Sequence, residues 1–288
     1  SFLLSHAVET VVENKGRVFP KTQKADSILT ALETYMRDFH VTIESNSHVL
    51  RLKSENNHVR WVETNHGNIF GHNVLIATGG LSYPATGSTG DGYKLAASVS
   101  HSICPTYPAI VAFETEETWV KSLQGTPIKN VNISAYQLNK KIAEHFGEAL
   151  FTHYGISGPA ILDMSKRLVE CLPNGFIQIH IDFKPNRSTE ELDSILINQI
   201  KRHGGKAIKA CLTIFVPEKL VPILLGLCNI EPYKKSSQIT TPERRKILKQ
   251  LKGLHLTLIR HRPIEEAIVT AGGVNLGEVD AKTMQSKL

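Results

Sequence analysis

The feature that most restricts the fold of this sequence is a pair of apolar runs, each closed by two glycines. The first is Asn73-Val74-Leu75-Ile76-Ala77-Thr78-Gly79-Gly80; the second lies within Ile264–Val274 and ends Val269-Thr270-Ala271-Gly272-Gly273-Val274. Continuous apolar runs of this length are the form expected of parallel strands buried on both faces. Between them the texture changes to alternating segments and then to helical spacing. This arrangement predicts one α/β domain, residues 1–103 with 264–288, interrupted by an inserted domain over 104–263. The insert divides into a β unit over about residues 104–187 and a helical unit over about 188–254.

Local patterns fill in the order. Ile28, Leu29, Leu32, Tyr35, Met36 and Phe39 recur at helical spacing, with Asp26 or Ser27 placed to cap the start. Val41–Glu44 reads as a strand. Val49–Leu52, Val59–Glu63 and Asn68–Phe70 follow as a meander, turning at Glu55-Asn56-Asn57 and Asn65-His66-Gly67. Asp91 is the expected cap of a helix reaching Ser100. In the insert, Ile110–Phe113, Val131–Leu138 and Phe176–Phe183 read as strands. Ser188 to Glu191 forms a capping box with Gly204 as the stop, and Thr241-Pro242 opens a helix that Gly253 closes.

Charge and composition exclude several function classes. The chain has 288 residues and a net charge of +6, a mild surplus without dense basic tracts, so nucleic acid is not the expected partner. Lys234, Lys235, Arg244, Arg245, Lys246, Lys249 and Lys252 read as a solvated helix face. The alternative is a non-catalytic module using that face for a partner or RNA. Cys104, Cys171, Cys211 and Cys228 form no CxxC pair and no disulfide framework, which predicts a reducing, cytoplasmic setting. The 13 histidines include no HxxxH or HExxH, so no metal site is expected. No apolar run approaches the ~20 residues of a membrane span. The amino terminus carries no basic leader and reads as a chain entered within a domain. Nothing in the sequence fixes the oligomeric state.

Four places carry possible chemistry. Ligands of open α/β sheets lie at the carboxyl ends of strands, which singles out Ile76–Gly80. Thr86–Gly92 has the composition of an amide nest for an anion, with Lys94 able to add charge. Arg17, within Gly16–Pro20, is permanently charged and suits a developing negative charge or an acidic substrate. His153 and Tyr154 offer proton transfer inside Gly147–Pro159, against the competing reading of a structural turn. The run Gly155-Ile156-Ser157-Gly158-Pro159 lacks the G-x-S-x-G spacing of a serine hydrolase.

Taken in order, Gly16–Pro20, Ala77–Pro84, Thr86–Tyr93, Leu150–Pro159 and Ala271–Val274 resemble a bacterial family of aminoacetone oxidase-like, NAD(P)/FAD-dependent oxidoreductases. The resemblance implies an FAD-binding, Rossmann-like α/β domain with a β-meander, into which a β-barrel-like and helical substrate domain is inserted. It implies FAD as cofactor, NAD(P)H as a further electron donor or acceptor, and hydride transfer between flavin and a small-molecule substrate. Val49, Ala77, Thr78, Gly79 and Gly80 would face the FAD, chiefly through backbone. Arg17, Gly272 and Gly273 would lie near the isoalloxazine, and His153 and Tyr154 near the substrate. The family's GxGxxG unit and its terminal flavin-binding segment are missing from these residues. The resemblance therefore implies a truncated chain that retains FAD weakly and is not catalytic alone.

Overall fold

The computed structural model describes residues 2–13, 16–56 and 58–288. Asn57 of the expected turn lies outside them. The chain forms two compact units, residues 1–51 with 61–70, and residues 52–60 with 71–288.

The first unit opens with α1 (Phe2–Ser5) and a hairpin of β1 (Thr10–Val12) and β2 (Val18–Pro20), paired with Val11 opposite Phe19. Helix α2 (Asp26–Asp38) follows as the spacing predicts, but its cap is Ala25 and no side chain caps it. Asp26 sits in the first turn, where its charge complements the helix dipole. Only Ala31 of this helix is buried, and Leu29, Leu32 and Phe39 stay exposed. The expected strand Val41–Glu44 is not formed: the segment is irregular and Val41 and Ile43 are exposed. Strands β3 (Val49–Glu55), β4 (His58–Thr64) and β5 (Gly67–Phe70), of which residues 52–60 are assigned to the second unit, make the expected meander in that order.

In the second unit the apolar run Asn73–Gly80 departs from expectation. It forms no strand and is unpaired among the described residues, and Ala77, Thr78 and Gly79 are exposed rather than buried. A strand exists only through hydrogen bonds to a neighbour, and no described strand supplies them. Helix α3 (Asp91–Ser98) is capped by Gly90 in the left-handed conformation, not by Asp91. Strand β6 (Ile103–Ala109) leads into the insert.

A closed antiparallel barrel of six strands forms the centre of that insert. Its strands are β7 (Phe113–Thr115), β8 (Pro127–Gln137), β9 (Lys140–Phe151), β10 (Gly155–Ser157), β11 (Ile177–Asp182) and, far along the chain, β12 (Leu254–His261). The order around the barrel is β10-β7-β12-β11-β8-β9. Closure leaves no free edge, and the period-2 alternation fills the interior. Ile177, Ile179 and Ile181 of β11 point inward beside Leu254, Leu256 and Leu258 of β12. Helix α4 (Pro159–Cys171) packs on β9 through Ala160, Ile161 and Leu168.

Between β11 and β12 the chain makes α5 (Thr189–Arg202), α6 (Lys209–Leu212), α7 (Val221–Leu227) and α8 (Thr241–Lys252). The expected capping box of Ser188 with Glu191 is present, and a second one, Thr240 with Glu243, caps α8 ahead of the expected Thr241-Pro242 start. Leu192, Leu196, Leu212, Leu224 and Leu251 join one core with the barrel.

The second glycine-closed run forms β13 (Val269–Val274), which pairs antiparallel with β6. It is therefore a partly exposed ribbon strand, not a strand covered on both faces. The register slips between Ala271 and Gly273, and Gly272 takes the bulge at φ +84°, where a Cβ would meet the Pro105 carbonyl. The chain thus combines helices with open and closed sheets, an α/β protein bearing a barrel and a helical unit.

Candidate functional site

The site grows from one side chain of β13. The Thr270 hydroxyl accepts the amides of Leu81 at 2.8 Å and Ser82 at 3.1 Å, and lies 3.0 Å from the Ser82 hydroxyl. This fixes the turn that follows Gly79-Gly80. Gly80 must lack a side chain here, since a Cβ would come within 2.6 Å of Thr270 Oγ1 and 3.2 Å of the Tyr93 hydroxyl. Gly273 is bound by the same ring, with Tyr93 Cε1 2.8 Å from its would-be Cβ. Gly79, at φ +74°, faces Ser88, and Thr78 lies against Gly92 at the start of α3. Both glycine pairs expected to serve one site are therefore joined, through Thr270 and Tyr93.

At Thr86–Gly92, the expected anion nest, side chains of the loop and of α3 bind the Asp91 carboxylate. Asp91 accepts from Thr89 at 2.8 Å and Lys94 at 3.2 Å, so Lys94 neutralises a neighbour.

From this turn the backbone leads to the barrel. The Tyr83 amide donates to the Glu265 carbonyl at 3.2 Å. Tyr83 itself is exposed and holds φ +55°, an uncommon conformation for a bulky residue. Next to Glu265, the Glu266 carboxylate receives two hydrogen bonds from Arg262, at 2.9 and 2.6 Å. Arg262 also donates to Glu114 at 2.7 Å, and Arg260 donates to the other Glu114 oxygen at 2.7 Å. Arg260, ahead of Arg262, holds the Glu114 carboxyl below the usual carboxylate range despite burial, and Arg262 lowers Glu266 in the same way.

The Arg262 guanidinium lies 4.5 Å from the centre of the Tyr154 ring, and the His153 ring meets Tyr154 edge-on at 4.8 Å. Neither the Tyr154 hydroxyl nor the His153 nitrogens have a hydrogen-bond partner among the described residues, while the Glu266 carboxylate acts on His153 through its charge. The glycines around them are packing requirements. A Cβ on Gly158 would reach 2.7 Å from Ala149 Cα, and one on Gly155 would reach 2.8 Å from the Thr115 amide.

Beside Arg260 and His261 a cleft of about 510 Å³ is lined by Tyr107 and Glu170, whose side chains hydrogen-bond at 3.0 Å. Another cleft, of about 930 Å³, belongs to the first unit and is lined by Glu9, Lys21, Asp26 and Thr30. Arg17 and Val49 are also in the first unit. Arg17 is exposed, 3.9 Å from Glu13 and over the Phe19 ring. Sequence reasoning missed Tyr93, Thr270, Glu114, Arg262 and Glu266. The alternation of charge in Arg260-His261-Arg262-Pro263-Ile264-Glu265-Glu266 was the available signal. Among the described residues no three His, Cys, Asp or Glu side chains gather as metal ligands. No helix among them is long and apolar enough to cross a membrane.

Comparison with known proteins agrees with this architecture. Over 274 residues, 94% of the chain, the sequence is 28% identical to the 3-dehydro-bile acid delta(4,6)-reductase of Clostridium scindens, covering 66% of that protein. It is 28% identical to the ribosomal RNA dihydrouridine synthase of Escherichia coli and 31% identical to that of Haemophilus influenzae. Each match covers 74% of this chain, and 51% and 50% of those proteins. The chain thus spans between half and two thirds of the length of these curated relatives. Residues 107–269, more than half of the chain and including every barrel strand, match the HI0933-like protein barrel and H2TH domain. This protein belongs to the HI0933-like family.

Proposed function

We propose that this chain is part of an FAD-dependent oxidoreductase that reduces a polarised carbon–carbon double bond in a small substrate. Bound FAD supplies hydride transfer, with NAD(P)H as the electron donor. The carrying observation is the Thr270 clamp. It holds the turn after Gly80 rigid while leaving the backbone of Ala77, Thr78 and Gly79 exposed, without amide partners among the described residues. These exposed backbone groups, of which the Gly79 carbonyl accepts from the Thr78 hydroxyl at 3.5 Å, fit one edge of a dinucleotide. The phosphate-cradling GxGxxG does not occur in these 288 residues, so this chain alone is expected to hold FAD weakly.

Within this reading Ala77–Gly80, Gly272 and Gly273 hold the cofactor's edge. Arg17 and Val49 are assigned to the flavin side by resemblance. Tyr154 and His153 hold or deliver the proton that accompanies reduction, and Arg262 fixes the Tyr154 ring. The relatives support reduction: one is a 3-dehydro-bile acid delta(4,6)-reductase and another a ribosomal RNA dihydrouridine synthase. The division into 1–103 with 264–288 against 104–263 is supported by the pairing of β6 with β13, which brings entry and exit of the insert side by side. A cytoplasmic setting is supported by four free cysteines, one of them exposed.

The test is anaerobic mixing of the flavin-loaded protein, with whatever flanking sequence its gene encodes, with NADH and NADPH. Bleaching of the oxidised flavin by either donor, followed by reoxidation with a conjugated enone or uridine, is the expected result. A flavin that stays oxidised with both donors contradicts the reading.

A further inference from the structure

Two bulky side chains reach solvent from backbone that disfavours them, and one short stretch of chain holds both. Tyr83 has φ +55° and Ile110 φ +53°, and Ile110 is the one β-branched residue in the left-handed region among the described residues. That region crowds a Cβ against the following carbonyl, a cost glycine does not carry. Leu138, also left-handed, differs: with Asn139 it makes the two-residue hairpin loop between β8 and β9, which calls for positive φ at both positions. Deep burial does not compensate either, since Tyr83 stays 51% and Ile110 37% exposed.

The backbone around both residues is over-determined. The Tyr83 amide donates to the Glu265 carbonyl at 3.2 Å, and the Tyr83 carbonyl accepts from the Thr86 amide at 2.9 Å and hydroxyl at 2.7 Å. The Ile110 carbonyl accepts the Ile268 amide at 3.1 Å. It is flanked by the pairing of Ala109 with Val269 and by a 2.9 Å bond from the Arg262 amide to the Ala112 carbonyl. Residues 262–269 therefore fix both strained positions, and Ile268 and Val269 within them are exposed. Strain held this firmly beneath exposed side chains is a property of segments that grip a ligand.

The chemistry of the ligand follows from the two ends of that stretch. At one end Arg262 binds Glu266 and lies against the Tyr154 ring. At the other Thr270 fixes the turn after Gly80. Between them Tyr83, Ile110, Ile268 and Val269 offer one phenol hydroxyl and no charge, and the exposed Glu265 carboxylate repels an anion. A charged or heavily hydroxylated substrate finds no partner there. A flat neutral ring stacks on a phenol and covers branched aliphatic chains.

We propose that Tyr83 and Ile110 are specificity-determining residues of the flavin site, and that the substrate they select is a neutral conjugated cyclic ketone with an apolar face. This inference rests on the flavin reading. The protein, with whatever flanking sequence its gene encodes, is loaded with FAD and titrated with carvone and, separately, with uridine, read by the shift in oxidised-flavin absorbance without turnover. Carvone should bind more tightly than uridine. Tyr83→Gly and Ile110→Gly should each raise the carvone dissociation constant about tenfold. Their melting temperatures should stay within about 2 °C of the parent, because relief of backbone strain offsets the lost contact. Tyr83→Phe keeps the ring and should stay within about twofold of the parent. Tyr83→Asn and Ile110→Asn, which the left-handed region also accepts, repeat the measurement with less backbone freedom. Leu138→Gly, on the β8–β9 hairpin, is the control and should leave binding unchanged.

A parent that takes up no flavin overturns the flavin reading, and this inference falls with it. A parent that loads flavin and is bleached by NAD(P)H, yet binds carvone no more tightly than uridine, overturns this inference alone. So do glycine and asparagine variants that keep the parent's carvone affinity, whether or not their melting temperature falls.

Discussion

Thr270 and Leu81 stand 189 positions apart in the chain and meet in a hydrogen bond of 2.8 Å, with the Thr270 hydroxyl also receiving the Ser82 amide. One hydroxyl thus joins the two glycine-closed runs. Thr270→Val keeps the shape and orphans two part-buried amides. We expect a loss of about 1–3 kcal/mol by chemical denaturation and faster amide exchange at Leu81 and Ser82. Thr270→Ser should retain most of the stability. Unchanged exchange in the valine variant would show that the turn is held by something else.

Arg262→Gln removes a cation shared by Glu114 and Glu266. Loss of these charge-assisted bonds should cost about 1.5–3 kcal/mol at neutral pH, read by denaturant titration. The folded Glu114 carboxyl titrates below its usual 4.5, so its contribution is complete above that value and is lost as pH falls through the folded pKa. Acid destabilisation should therefore be shallower in the variant than in the parent.

Glycine substitutions separate crowding from backbone strain. Gly158, at φ +95°, has backbone atoms of Ala149 and Leu150 within 2.7–2.8 Å of a Cβ, whereas Gly175, at φ +122°, has open space. Gly158→Ala should cost at least about 2 kcal/mol and Gly175→Ala about 1 kcal/mol, compared by thermal melts. Equal effects would contradict the packing account of the barrel glycines.

The cysteines should differ in reactivity. Cys104 is exposed, while burial pushes the Cys228 thiol up to about 11. At pH 8 a thiol reagent should modify Cys104 rapidly in the native protein and reach all four thiols only after denaturation. Rapid native labelling of Cys228 would run against its burial.

What was legible in the sequence was what is decided locally. Ser188 with Glu191 carries its capping chemistry within four residues and the box forms, and the Pro242 start and Gly253 stop of α8 are equally local. Asn73–Gly80 and Val41–Glu44 have strand composition, yet pairing is nonlocal and no described neighbour completes them. The pairing of β12 was hidden because its partners, β7 and β11, lie on the far side of a helical segment. The site followed the same division. Gly80 and Gly273 were visible as glycines. Tyr93 and Thr270, which give them their reason, are marked by distance in space and not by any motif.

The central claim, that Ala77–Gly80 and its Thr270 clamp form the edge of a flavin site, is tested most directly by absorbance. The protein, purified with whatever flanking sequence its gene encodes, should show oxidised-flavin bands. Gly80→Val, which intrudes on Thr270 and Tyr93, should lower the flavin-to-protein ratio in a folded sample. A colourless parent that takes up no added FAD, or a Gly80→Val protein with full flavin content, would contradict the account.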